Sequence, residues 1–351
     1  MELGSEFSLS LSNLSTVENN TIELINQSGM EGVYFDSGRS ALRFLLNNLN
    51  IEGTYLLPEY ICESVIECFP TNKVRFYRVS DSFVADVDDI KEKTDLQTGI
   101  IYVMHYYGML QPLSVLEKIQ EIAHERDITI VEDITHSIFT SLKTIGDYVI
   151  GSLRKWMPIP DGGLLLSNKH FDLTSLEKQL DNSKIYGMIL KQLYLEKKLD
   201  CNSHYRQLFI ESEQRLDRQK RILAISDLSL FLLKCVDSHN LVEQRKHNYS
   251  YLKKLLLEQG ISPAVELGDN CCPFAFPIRI HNRDCFREYM IDNSIYCAVH
   301  WPRDGIRERE RKQAVNNATS LISLPIDQRY GRKHMEYMAD VISHYGGVKQ
   351  S

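Results

Sequence analysis

The chain is 351 residues long, 43% apolar and 25% charged, the balance of an ordinary globular protein with material for a sizeable core. Its 40 basic and 47 acidic residues leave a net charge of −7, so no broad cationic face draws it to nucleic acid or to a membrane surface. No run of about 18 apolar residues occurs, so nothing reads as a membrane span. The eight cysteines form no C-x-x-C pair, which argues against a metal site and fits reduced thiols in a cytoplasmic protein.

Along the chain, Gly4-Ser5-Glu6-Phe7 reads like translated cloning sites, so residues 1–7 are set aside from the fold and 8–30 form an N-terminal arm. From Val33 to about Asn168, short apolar runs alternate with helical patterns. Thr54–Leu57, Lys73–Tyr77, Gly99–Met104, Ile128–Glu132, Asp147–Gly151 and Gly163–Ser167 read as strands, and Leu113–Arg126 as an amphipathic helix. That alternation predicts an α/β fold with a mainly parallel sheet, whose ligands sit beyond the carboxyl ends of its strands. Phe171 to about Gly260 is helical in composition and free of proline. Strand-like text returns at Cys272–Ile280 and Ser294–His300, followed by a closing helix near His334–Tyr345. The expected division is a large domain, 31–244, and a smaller α+β domain, 245–351.

Four segments could carry chemistry. In Asp36-Ser37-Gly38-Arg39-Ser40-Ala41-Leu42 a turn of small residues opens a helix, which suits a phosphate or, equally, a plain N-cap at Ser37 or Ser40. The strand Ile128–Glu132 runs into Asp133 and His136; a carboxylate there could hold a protonated heterocyclic nitrogen or merely cap a helix. In Ser152-Leu153-Arg154-Lys155-Trp156-Met157-Pro158, followed by Gly162-Gly163, Lys155 is either a desolvated, nucleophilic amine or a solvated lysine beside a turn, and Trp156 is packing. His300 and Trp301, before Pro302, could face a ligand, although a lone histidine is more often a structural donor. Arg307–Lys312 reads as a solvated charged face. Neither a nucleophile elbow nor a phosphate-binding Walker loop appears.

Taken in order, these segments resemble the DegT/DnrJ/EryC1/StrS family of sugar aminotransferases, from about residue 30 to 345. The resemblance rests on Ser37-Gly38-Arg39-Ser40-Ala41-Leu42, Leu57-Pro58-Glu59-Tyr60, His105-Tyr106-Tyr107-Gly108, Glu132-Asp133-Ile134-Thr135-His136, Ser152…Lys155…Gly162-Gly163 and Val299-His300-Trp301-Pro302. It implies fold type I, with a seven-stranded, mainly parallel sheet in a large domain and a small α+β C-terminal domain. It also implies pyridoxal 5'-phosphate held by Lys155 as a Schiff base, with Asp133 on the ring nitrogen and His136 near the phenolic oxygen. Gly38, Arg39, Ser40 and Ser152 would serve the phosphate, Tyr60 would lie by the ring, and His300 and Trp301 would meet substrate.

The implied reaction moves an amino group from glutamate or glutamine to a nucleotide-linked keto sugar. Its setting would be bacterial polysaccharide or antibiotic sugar biosynthesis, in a cytoplasmic homodimer. A different reaction of the same cofactor (dehydration, or a non-sugar acceptor) and a non-catalytic sensor are the alternatives. Three features depart from the family pattern. Ser152 and Lys155 stand only three residues apart, Cys62 occupies the usual aromatic position, and Ile225-Ser226-Asp227-Leu228 lacks the asparagine expected to reach a neighbouring subunit.

Overall fold

The structure, a computed structural model, describes residues 2–10, 21–25, 29–140, 144–301 and 311–346. In chain order, β1 (Leu3–Gly4) and α1 (Thr21–Ile25) precede β2 (Glu31–Phe35), α2 (Gly38–Leu49) and β3 (Thr54–Pro58). Then come α3 (Glu63–Ile66), β4 (Val74–Tyr77), α4 (Val87–Lys93), β5 (Thr98–Met104), α5 (Leu113–Arg126), β6 (Thr129–Asp133), β7 (Tyr148–Ser152) and β8 (Gly163–Ser167). The helices α6 (Asn182–Leu195), α7 (Asn202–Arg218), α8 (Asp227–Cys235) and α9 (Ser238–Leu257) follow. The chain closes through β9 (Phe276–Arg279), α10 (Arg283–Asp292), β10 (Ile295–Tyr296), α11 (Lys312–Ser320), β11 (Leu321–Leu324) and α12 (Arg332–Ser343). It divides into two compact units, one of residues 1–5, 51–147 and 239–351, the other of residues 6–50 and 148–238. Strands β3, β4, β5 and β6 fall in the first unit and β2, β7 and β8 in the second.

In the first unit β4, β3, β5 and β6 are neighbours in that order and all parallel. Ile100, Ile101, Tyr102, Val103 and Val131 are fully buried, the near-continuous apolar run of a strand covered on both faces. The helix α5 buries Leu116, Ile119, Ile122 and Ala123 at helical spacing and ends on Asp127 in the left-handed region, φ 53°. A second core in this unit gathers Phe276, Ile278, Ile322, Leu324, Met335 and Met338 around the antiparallel pair β9–β11. In the second unit β8 runs antiparallel to both β2 and β7, so the sheet is parallel only in part. The pair α6–α7 packs through Met188, Tyr205 and Phe209.

Two expectations of extent are corrected. Cys272–Ile280 forms a strand only from Phe276 to Arg279. Before it, Pro273 has no N–H, and the N–H groups of Cys272 and Phe274 are spent on Thr140 Oγ1 (3.0 Å) and Tyr107 O (3.1 Å). Of Ser294–His300 only Ile295–Tyr296 is strand, with Ala298 bridging to Ser323. The opening residues, set aside above, belong to the fold. Leu3 is fully buried and β1 pairs with β10, while in the second unit the Glu6 carboxylate accepts from the Lys184 ammonium.

Candidate active site

In the first unit the loops leaving the carboxyl ends of β3, β5 and β6 carry the candidate residues. At the end of β6, Glu132 and Asp133 are buried together, at 0% and 3% exposure. Asp133 Oδ2 accepts from the Tyr102 hydroxyl at 2.6 Å, and Oδ1 from the Thr135 N–H at 2.8 Å. The Glu132 carboxylate accepts from the Gly146 and Ile145 N–H groups at 3.2 and 3.4 Å and lies 3.5 Å from His105 Nε2. Because His105 Nδ1 accepts the Gln111 N–H at 3.0 Å, the ring proton belongs on Nε2, toward Glu132. Glu132 therefore organises the loops around Asp133.

The turn Ile134–Ser137, closed by a 2.7 Å hydrogen bond, brings His136 into an aromatic enclosure. Its ring stacks on Phe274 at 4.2 Å and on Trp301 at 5.5 Å, with the His300 ring 5.0 Å away. Tyr60 contacts Trp301 at 5.1 Å, and its hydroxyl shares a 3.1 Å hydrogen bond with that of Tyr107. Burial pushes the Tyr107 phenol up to about 12 and, with Tyr107 beside it, the Tyr60 phenol well above the usual range. His300 Nδ1 is 2.9 Å from Ser323 Oγ. Asp133, His136, Tyr60, His300 and Trp301 thus belong to one unit; Pro302 lies outside the described residues.

The second unit holds the other group. The last residue of β2, Phe35, and the last of β7, Ser152, both pair with Gly163, so the two strand ends meet at the start of β8. From Phe35 the chain turns through Asp36 and Ser37 into α2. Ser37 Oγ accepts the Ser40 N–H at 3.2 Å, which makes Ser37 the cap and commits Ser40 to capping. An α-helix leaves its first-turn N–H groups without intrahelical acceptors, and Gly38 opens this one. A Cβ on Gly163 would fall 2.1 Å from Ser37 O, so only glycine admits this turn.

From Ser152 the chain enters a single 3-10 turn, Leu153–Lys155. Leu153 N–H donates to Gly162 O at 2.9 Å, and Gly162 N–H to Asp36 O at 2.7 Å, which ties this turn to the opening of α2. Lys155 is half-buried between buried Leu153 and fully buried Trp156. Arg39 pairs with Asp217 at 2.9 Å, and Arg154 is held bidentate by Glu213 at 2.8 and 3.1 Å. Burial alone would raise Glu213, but Arg154 and Lys184 hold its carboxyl down at about 2.

The sequence reading missed Tyr102, Phe274 and Arg311. Period-two alternation puts Tyr102 on the same face of β5 as Met104, the register partner of Asp133, a signal available only once the strands are paired. Arg311, read as part of a solvated face, is buried at 7% exposure. It donates to Glu59 O at 2.7 Å and Ile61 O at 2.9 Å and pairs with the Glu63 carboxylate, which clamps the loop that carries Tyr60. Residues 307–310 of that run lie outside the described residues.

Residues 31–168 match the model of the DegT/DnrJ/EryC1/StrS aminotransferase family, a stretch that holds Gly38, Asp133, Ser152 and Lys155. That stretch is similar to this family. Within related sequences, a dTDP-3-amino-3,6-dideoxy-alpha-D-galactopyranose transaminase of Aneurinibacillus thermoaerophilus is 22% identical over 275 residues, 73% of this chain and 68% of that protein. Among solved structures, the sugar aminotransferase CalS13 from Micromonospora echinospora superposes with a TM-score of 0.67 at 15% identity, covering 98% of this chain and 100% of that one. DesV from S. venezuelae, in complex with a ketimine intermediate, gives 0.66 at 14% identity over 93% and 87%. At these identities the structural likeness is one of fold, the type I fold of the family's aminotransferases.

Proposed function

We propose that this protein is a DegT/DnrJ/EryC1/StrS aminotransferase that uses pyridoxal 5'-phosphate to move an amino group from glutamate or glutamine to a nucleotide-linked keto sugar. The observation that carries the reading is Asp133, a buried carboxylate ending a parallel strand and held by two donors. Two donors fix the carboxylate in one orientation and leave further lone pairs for a protonated ring nitrogen. The residues present fit the cofactor. The first turn of α2, pressed on Gly163 so closely that no Cβ fits, offers main-chain N–H groups to a phosphate. The turn beside it presents the primary amine of Lys155.

When bound, pyridoxal phosphate supplies an aldehyde that condenses with amines and a ring that withdraws electrons. Lys155 holds it, then carries a proton to and from the reacting carbon. Asp133 keeps the ring nitrogen charged and His136 serves the phenolic oxygen. Gly38, Arg39, Ser40 and Ser152 receive the phosphate, with Ser40 acting through the cap it makes with Ser37. Tyr60 lies by the ring, and His300 and Trp301 face the sugar.

The same reading takes the protein as a cytoplasmic homodimer with a large domain, 31–244, and a small domain, 245–351. Among the described residues no helix is long and apolar enough to cross a membrane. Mixed with pyridoxal phosphate, the wild type is expected to turn yellow, and glutamate or glutamine to convert the cofactor to its amine form. Lys155→Ala is expected to lose the visible band while remaining folded by circular dichroism. A wild type that stays colourless overturns the reading.

A further inference from the structure

Several buried tyrosines of the first unit spend their hydroxyl on main-chain carbonyls: Tyr77 on Tyr102 O at 2.9 Å, Tyr106 on Tyr60 O at 2.6 Å and Tyr249 on Val265 O at 2.7 Å. Tyr102 is different. Fully buried in the middle of β5, it gives its proton to a carboxylate, at 2.6 Å, and that carboxylate is Asp133. The two residues sit on paired strands, Tyr102 opposite Val131 and Asp133 opposite Met104, so the phenol reaches diagonally along one face of the sheet. The sheet itself fixes the geometry, with no loop to relax it.

We infer that Tyr102 is a positioning residue which fixes Asp133 in one orientation, so that its carboxylate meets the cofactor's ring nitrogen and the proton there stays on nitrogen. The inference rests on the function proposed above. A donor to the ionised form of a carboxylate stabilises that form, and the effect is larger where water is excluded. The phenol does not itself ionise, because burial and then the charge of Asp133 push it well above the usual range. The Cys68 and Cys62 thiols act on it in the same direction, more weakly than Asp133. The Thr135 N–H on Oδ1 completes the hold, leaving further lone pairs of Asp133 for a ring N–H.

The test is nitrogen NMR of the protein loaded with pyridoxal phosphate labelled with nitrogen-15 in the ring, for the wild type and Tyr102→Phe. The wild type is expected to show the resonance of a protonated ring, and Tyr102→Phe a clear movement toward that of a neutral pyridine. Steady-state rates should show kcat down by about fivefold or more with the donor KM changed less than about twofold. An unmoved resonance in a folded, loaded Tyr102→Phe overturns the inference and leaves the aminotransferase reading standing. A wild type that takes up no cofactor overturns both. If Tyr102→Phe does not fold, p-aminophenylalanine at position 102 keeps a weaker donor on the same ring. It is expected to give an intermediate resonance, and a wild-type position would contradict the inference.

Discussion

Asp161, two residues before Gly163, shows how a single buried group sets a pH dependence. Its Oδ1 accepts from the Ser226 N–H at 3.2 Å, while Oδ2 is buried without a hydrogen-bond partner among the described residues. Burial pushes its carboxyl up to about 6 from an unfolded value of 3.8, so folding takes up a proton between those two values. Stability contributed at this position is therefore greatest below about pH 4 and falls as pH rises through 6, by up to about 3 kcal/mol. Asp161→Asn keeps the acceptor and removes the charge. Urea unfolding is expected to show the variant more stable than wild type at pH 7.5, with the gap closing toward pH 4; a gap independent of pH contradicts the assignment. Neither Asp161 nor Tyr102 could be read from the sequence as special, because each owes its state to residues distant along the chain, Ser226 and Asp133. Lys155 and Asp133 stand out in the sequence because their neighbours there, a double glycine and a strand end, draw attention to them.

At the scale of elements, legibility followed the range of the interaction that makes each element. Leu113–Arg126 was read residue for residue, since its buried face repeats at helical spacing inside one segment. Gly163–Ser167 was equally plain as an apolar run. Phe171 to Gly260 was read as helical, but its composition did not reveal four separate helices or the irregular stretch before Asn182. The short strand Leu3–Gly4 was missed because its partner, Ile295–Tyr296, is almost the whole chain away. The packing of α2 on β8 makes a specific demand that can be tested. Gly163→Ala would force a Cβ within 2.1 Å of Ser37 O, whereas a Cβ on Gly268 meets nothing within 4 Å. Gly163→Ala is expected to lower stability by about 2 kcal/mol or more and to weaken phosphate binding, with Gly268→Ala within about 0.5 kcal/mol of wild type. Unfolding midpoints and titration with pyridoxal phosphate check both; equal effects from the two substitutions would show that the turn does not depend on that contact.

For the whole molecule, the sequence pattern carried the α/β class and the order of motifs, because both depend on local text. The compact units each draw on separate stretches of chain. The two candidate groups, one around Asp133 and one around Lys155, belong to different units, and the proposed function gives the amine of Lys155 to pyridoxal phosphate. Reduction of the loaded protein with borohydride, followed by proteolysis and mass spectrometry, asks directly which amine holds that molecule. The account predicts one modified peptide, carrying the reduced cofactor on Lys155. An adduct on any other lysine, or none at all, would contradict it.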